Sequence, residues 1–269
     1  MTTIPFLRIS SIINQKYSID NRYVRGSGVG ALAGSSRAAL QRRAGNKCCE
    51  STDIPGSGSI AFNGVDQYAT LPASALSWLP GIGDFTVEWF MQRRASASRF
   101  PRVFSIGIDT EASLGCSVED EEGDLHCYIW PYGDELAGYM PPSYNDYSGW
   151  THVAVSRRGT NIKLFIAGVK VAEKTDDSHA IVPEHDFNLG VDDPTVGNNW
   201  WAGNLTNFRW TNKALYTGDS LTVPQGPLLA LPSTALLLLG GYRKNPVADA
   251  AKHNTVVNHG GQWTPLSPF

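Results

Sequence analysis

Short runs of alternating apolar and polar residues recur between residues 62 and 216, and each run ends near a glycine-centred turn. The clearest runs cover residues 84–91, 150–155, 162–166 and 169–172. Alternation over four to eight residues is typical of a half-buried strand, because successive side chains point to opposite faces of the sheet. The turns follow one another too closely for crossover helices, so the pattern predicts an antiparallel β-sandwich.

Other segments extend this prediction. Further strands are predicted at residues 60–72, around an Asn63-Gly64 turn, and at residues 102–107, 113–118, 125–130, 187–190, 205–210 and 234–239. The apolar run at residues 234–239 suits a strand that is buried on both faces. With 42% apolar residues and eight Trp, the chain of 269 residues can fill a large core.

The composition divides the chain into three parts. Residues 1–55 form a basic extended arm and linker, residues 56–239 the sandwich, and residues 240–269 a tail. The first 50 residues contain eight Lys or Arg and two acids, a net charge of +6, whereas the remainder carries −9. Residues 35–45 predict a helix, with a serine N-cap and a glycine stop, that is too short to persist alone. We therefore expect the arm to become ordered on a partner.

Two kinds of partner suit this arm: nucleic acid, whose phosphates a basic segment attracts, or acidic neighbouring proteins. A protein partner is favoured, because the arm has few aromatic residues and no run of more than two consecutive charges. The residues expected to bind the partner are Arg22, Arg25, Arg37, Arg42 and Arg43.

The sequence also bears on the compartment. No stretch reaches the roughly 18 apolar residues that a membrane span needs, and the N-terminus lacks the apolar core of a secretory signal peptide. We therefore expect assembly inside the cell, with the four Cys as reduced thiols. One hairpin register would place Cys116 opposite Cys127, whereas a shift by one residue would separate them. The sequence therefore allows either a disulfide or two free thiols at this pair.

Catalysis would need two carboxylates, or a nucleophile and a base, at close range. The dense acidic cluster at residues 119–124 contains Gly123, which predicts a solvated turn rather than a catalytic strand. Glu88 is expected on an exposed face of its strand, and His152 is expected to be packed and hydrogen-bonded. Since no serine or cysteine nucleophile motif accompanies them, the sequence predicts a protein without enzymatic activity or a required cofactor.

Five ordered segments resemble the concanavalin A-like sandwich in its laminin-G-like form. They are Phe62-Asn-Gly-Val-Asp-Gln-Tyr68 and residues 83–90, 150–155, 162–168 and 203–209, the last leading to Ala214-Leu-Tyr216. The resemblance covers about residues 56–239 and implies an all-β, two-sheet antiparallel jelly roll. Residues 254–261 resemble a segment that precedes the first strand of such domains, so the tail is expected to return as an edge strand beside the start of the domain.

The arm resembles basic arms that precede such domains in structural proteins of large DNA viruses, on residues 24–30 and 37–43. This resemblance implies a minor capsid protein, located in the virion, whose arm tethers it to other capsid proteins. The alternative is a carbohydrate-binding, lectin-like module that attaches to host glycans.

Relatives of this fold often hold calcium in their loops through hard oxygen ligands, for which the candidates are Asn63, Asp66, Asp192 and Asp193. Asn63 and Asp66 also suit capping of the Asn-Gly turn. Aromatic residues that could stack on a sugar or anchor a protein interface are Trp200, Trp201, Tyr144 and Tyr147. Adjacent residues of a strand point to opposite faces, so at most one of the two Trp is expected to be exposed.

Overall fold

The computed structural model describes residues 57–107, 113–119, 124–129, 135–145, 147–176, 178–197 and 199–269. The N-terminal arm, with its predicted helix and its five candidate arginines, lies outside these residues. Within them, no helix is both long enough and apolar enough to cross a membrane.

The described residues form a two-sheet antiparallel sandwich, which confirms the predicted fold class. Its strands are β1 (Ser59–Asn63), β2 (Tyr68–Leu71), β3 (Phe85–Arg93), β4 (Arg102–Ile106), β5 (Leu114–Val118), β6 (Asp124–Ile129), β7 (Glu135–Tyr139), β8 (Thr151–Arg158), β9 (Asn161–Ile166), β10 (Val169–Thr175), β11 (Phe187–Leu189), β12 (Ala202–Thr211), β13 (Thr234–Leu238), β14 (Val257–His259) and β15 (Gln262–Thr264). A 3₁₀ turn at Ala73–Ala75 and the helix α1 at Pro142–Asn145 lie in connecting loops.

Sheet A has the strand order β10-β9-β8-β3-β12-β1-β15, and β13 also pairs with β12. Sheet B has the order β14-β2-β11-β4-β5-β6-β7. The tail therefore contributes one short edge strand to each sheet, because β15 pairs with β1 and β14 pairs with β2.

Four aromatic rings from both sheets form the centre of the core. Trp89 and Phe208 come from sheet A, and Phe104 and Phe187 come from sheet B; all four are fully buried. Phe104 packs edge-on against Trp89 and Phe208, with ring centroids 5.4 and 5.3 Å apart. Edge-to-face pairs add to the free energy gained by burying apolar area, so this cluster holds the sheets together.

The register between β5 and β6 determines whether Cys116 can form a disulfide. Cys127 lies directly opposite Cys116 in this ladder. Cys116 is buried and disulfide-bonded. The expectation of reduced thiols is therefore wrong for Cys116, because the register is the one that brings the two positions together.

Residues 213–231, called the strap below, cross the outer face of sheet A. Asn207 Oδ1 accepts a hydrogen bond from Leu228 N at 2.7 Å, and Arg209 Nη1 donates to Leu229 O at 2.9 Å. Asn207 has a φ of 53° and lies where the register of β12 against β3 shifts. This bulge takes Asn207 out of the regular ladder and makes its side chain available to the strap.

The strap explains why some strands are buried on both faces. Leu236 and Leu238 of β13 enter the main core, whereas Leu237 and Leu239 pack with Leu228 of the strap in a second small cluster. The prediction of a strand buried on both faces at residues 234–239 is confirmed.

Candidate functional site at the loop end of the sandwich

Several loops that join the two sheets meet at one end of the sandwich, which we call the loop end. Strands β3 and β11 finish there, and strands β4 and β12 begin there. Arg94 N donates to Ala202 O at 2.8 Å, and Arg102 N donates to Asn199 O at 2.9 Å. Asn63, the last residue of β1, pairs with Ala202. The antiparallel topology thus gathers loops that are far apart in the sequence.

Three half-buried rings, those of Tyr68, Trp200 and His259, form an aromatic patch at the loop end. The Tyr68 and His259 rings stack with their centroids 4.1 Å apart and their planes 6° apart, because β2 and β14 pair these residues directly. The Trp200 ring lies 5.9 Å from the Tyr68 ring at an angle of 58°. The patch presents flat apolar surface beside polar atoms, an arrangement found in small-molecule sites and protein interfaces.

A buried ion pair anchors the loop that carries Trp200. Arg102 of β4 donates through Nη2 to Asp192 Oδ2 at 2.9 Å, and both side chains are almost completely buried. Ser105 and Asn188 each donate to the Asp192 carbonyl oxygen at 3.1 Å. Charge-assisted hydrogen bonds are stronger than neutral ones, so this loop has a defined position on sheet B.

A second aromatic group surrounds Arg93 at the end of β3. Its guanidinium carbon lies 5.0 Å from the centroid of the Tyr144 ring and 4.9 Å from that of Tyr147. Arg93 Nη2 also donates to the Tyr147 hydroxyl at 3.1 Å. Tyr144 is fully buried, whereas Tyr147 is 40% exposed. Arg93 thus links a core tyrosine to a surface tyrosine.

The structure separates the four aromatic residues that the sequence singled out. Trp201 and Tyr144 are fully buried, so the proposal that they contact a glycan or a partner is wrong: they fill the core. Trp200 and Tyr147 remain accessible. Sequence reasoning missed Tyr68 and His259 as site residues, because they are brought together only when the tail pairs with β2.

At least one side-chain oxygen of each calcium candidate is engaged by the protein itself. Asn63 Oδ1 accepts from the backbone of Val65, Asp66 and Gln67, and Asn63 Nδ2 donates to Asp66 Oδ1 at 2.8 Å. This is the expected turn cap.

In the second loop, Asp192 pairs with Arg102, and Asp193 Oδ1 accepts from the backbone and hydroxyl of Thr195. Within the described part of the chain, no group of three or more His, Cys, Asp or Glu residues could hold a metal ion. Calcium binding stays a prediction, and these contacts disfavour it.

A cluster of buried polar side chains lies elsewhere, between the strap and sheet A. Glu88 Oε2 accepts from His152 Nε2 at 3.1 Å and from the Tyr216 hydroxyl at 2.9 Å, and Oε1 accepts from Arg209 Nε at 3.0 Å. Glu88 is fully buried, so the prediction of an exposed Glu88 is wrong: the strap covers the face that alternation marks as outward. His152 is packed and hydrogen-bonded, as predicted.

The electrostatics of this cluster favour an ionised carboxylate. Burial alone would raise the pKa of Glu88, but the hydrogen bond from His152 and the positive charge of Arg209 outweigh it and hold the pKa below its ordinary value of 4.5. Burial and the charge of Glu88 raise the pKa of the Tyr216 hydroxyl. A general acid needs a pKa near the working pH, which Glu88 does not have.

The acidic turn offers no better catalytic group among its described residues. Glu119 Oε1 pairs with Arg99 at 3.1 Å, and Glu119 Oε2 lies 3.3 Å from His126 Nε2. Residues 120–123 lie outside the described part of the chain.

Comparison with known proteins assigns the family. A laminin G family model, described as the concanavalin A-like lectin/glucanases superfamily, matches residues 63–219, which is more than half of the chain. The chain therefore belongs to this superfamily. No curated protein matches the sequence.

Solved structures are similar to this chain at low sequence identity. A putative carbohydrate-binding protein from Bacteroides ovatus has a TM-score of 0.58 and 16% identity, over 78% of this chain and 60% of that one. Mouse laminin α1 domains LG4-5 have a TM-score of 0.42 and 13% identity, over 62% and 47%. The CBM40 of the Ruminococcus gnavus IT-sialidase has a TM-score of 0.45 and 13% identity, over 59% and 91%.

These similarities bear unequally on the predicted functions. The chain spans less than two thirds of the Bacteroides ovatus protein, so the likeness concerns the fold. Neither the family match nor the Bacteroides ovatus protein supports a virion role. The capsid hypothesis rests on the N-terminal arm, and it stays a prediction.

Proposed function

We propose that residues 57–269 form a non-catalytic glycan-binding domain whose sugar site is the aromatic patch of Tyr68, Trp200 and His259. The observation that supports the proposal is the patch itself: three partly exposed residues, in which the Tyr68 ring contacts the rings of both Trp200 and His259, at an end of the fold where loops of both sheets meet. Membership of a superfamily that contains lectins supports this choice over a protein interface.

The patch has the chemistry that a sugar ring requires. One face of a pyranose carries C–H groups that pack against an aromatic ring, while its hydroxyls need hydrogen-bonding partners at the edge. Gln67 lies beside Tyr68 in the sequence and is half-buried, so its amide is available at this edge. The anchored loop presents Trp200 at little cost in conformational entropy on binding.

The absence of catalysis is part of the proposal. Hydrolysis by a retaining glycosidase requires two carboxyl groups about 5–5.5 Å apart in an accessible cleft. Glu88 lies under the strap with all its partners supplied by the protein, and Glu119 is engaged by Arg99 and His126. Neither residue belongs to the aromatic patch.

A glycan array probed with the purified full-length chain tests the proposal. We expect binding to a subset of glycans and its loss in Trp200→Ala. Trp263→Ala is the matched control, because Trp263 is also half-buried but lies on β15, paired with Ile60 of β1. Failure of the parent protein to bind any glycan, or equal binding by parent and Trp200→Ala, would overturn the proposal.

A further inference from the structure

Tyr147 has a backbone conformation that a bulky residue rarely adopts. Its φ is 61°, in the left-handed region that favours glycine and, to a lesser extent, asparagine. Strained residues persist only where the surrounding structure holds them, and they cluster at functional sites.

The backbone of the turn closes without the ring. Tyr147 N donates to Tyr144 O at 3.2 Å, and Gly149 N donates to Ser143 O at 3.0 Å. Both bonds use main-chain atoms, so a glycine or an asparagine at position 147 would make the same turn with less strain. The turn therefore does not account for the presence of a tyrosine.

The ring of Tyr147 is held firmly but is not buried. Arg93, only 6% exposed, lies 4.9 Å from the ring centroid and donates to the hydroxyl at 3.1 Å. The fully buried Tyr144 is the second ring against the same guanidinium, at 5.0 Å. Tyr147 as a whole residue is nevertheless 40% exposed, so it lies at the surface while it contacts the buried arginine.

Tyr147 also lies at the same end of the sandwich as the aromatic patch. Arg93 pairs with Gly203 across β3 and β12, and Gly203 follows Trp200 by three residues. An exposed ring that is fixed in advance loses little conformational freedom when a ligand stacks on it.

We propose that Tyr147 is a second ring-stacking position for the glycan, with Arg93 as the positioning residue behind it. This inference rests on the proposed function and extends it. A ligand that stacks on both the aromatic patch and Tyr147 must contain several sugar rings, so the domain recognises an oligosaccharide chain rather than a monosaccharide.

The test compares saccharides of increasing length, from the monosaccharide to the hexasaccharide of the series that the glycan array selects. Calorimetry with the parent protein should show affinity that rises with length. Tyr147→Ala should lower the affinity for the hexasaccharide by about three- to tenfold and leave the monosaccharide unaffected. Tyr147→Phe keeps the ring and should retain most of the binding. Tyr139→Ala is the control, because Tyr139 is 77% exposed but lies on the edge strand β7.

Thermal unfolding supplies a second readout, which distinguishes a binding role of Tyr147 from a purely structural one. Tyr147→Gly should leave Tm within about 3 °C of the parent value or raise it, because glycine adopts this φ without strain. A fall of more than about 5 °C would identify Tyr147 as a structural residue and overturn the inference.

The binding results separate the two proposals. Loss of binding in Trp200→Ala, together with unchanged length dependence in Tyr147→Ala, would overturn the inference about Tyr147 alone. An array without any binding by the parent protein would overturn the proposed function and this inference with it.

Discussion

Arg209 and Glu88 face each other across β12 and β3, and two nitrogen atoms of the guanidinium donate to one carboxylate oxygen, Glu88 Oε1. Through Nη1, the same guanidinium holds the carbonyl of Leu229 in the strap. The pair thus joins sheet A to the segment that covers it. Because both side chains are buried, removal of either one leaves an uncompensated charge away from water.

Glu88→Gln should therefore destabilise the protein, by about 3–5 kcal/mol, because Arg209 would keep its charge and lose its counter-ion. Urea unfolding followed by tryptophan fluorescence measures this change. Glu173→Gln is the control, since Glu173 pairs with Lys170 at the surface and should change stability little. Equal losses in the two variants would contradict the assignment of Glu88 as a buried, structurally required anion.

Acid should lower the free energy of unfolding through protonation of Glu88. The pKa of Glu88 is lower in the folded state than its ordinary value of 4.5, so the folded state binds this proton less readily than the unfolded chain. The stability that Glu88 contributes is complete above about pH 4.5 and is lost as the pH falls through the folded pKa. Thermal unfolding from pH 7 to pH 3 should show the difference between parent and Glu88→Gln shrinking at the acid end. A difference that grew with acidity would contradict the sign of the shift.

The two adjacent tryptophans should behave differently. Trp201→Ala removes a fully buried ring and should cost about 3–5 kcal/mol, because it leaves a large cavity in the core. Trp200→Ala removes a half-buried ring and should cost less than about 1.5 kcal/mol. Denaturant unfolding of the two variants, with glycan binding measured in parallel, tests whether stability and binding separate between neighbouring positions.

Gly203 should tolerate no side chain. Its φ is 148°, and a Cβ atom there would lie 2.4 Å from Gln92 O and 2.9 Å from Arg93 Cα on the neighbouring strand. Gly203→Ala should destabilise the protein by about 3 kcal/mol, since strain and a backbone clash act together. Gly226→Ala is the control, because a Cβ atom at position 226 would meet no other atom within 4 Å. This variant should stay within about 0.5 kcal/mol of the parent in urea unfolding.

The strands were predictable because their signal is local. In β3, Val87 and Trp89 enter the core while Glu88 points the other way, as a period of two requires. Alternation also predicted that at most one of Trp200 and Trp201 is exposed. It did not show which one, because that depends on where the loop after Asp192 attaches to Arg102 of a different strand.

Contacts between distant segments had no such signal. Tyr68 and His259 stack although they lie near opposite ends of the described chain, and the sequence around either residue does not predict this contact. The strap is a second example, since residues 213–231 lack the alternation of a strand and yet decide that Glu88 is buried.

The sequence by itself determined the two-sheet architecture and the superfamily, because alternating side chains and closely spaced turns allow few arrangements of the backbone. The tertiary structure alone decided which aromatic rings are accessible, which carboxylate is sealed from water and which cysteine is bonded. Those outcomes depend on strand register and on segments that cover a face, and both are set by the packing of residues far apart in the chain.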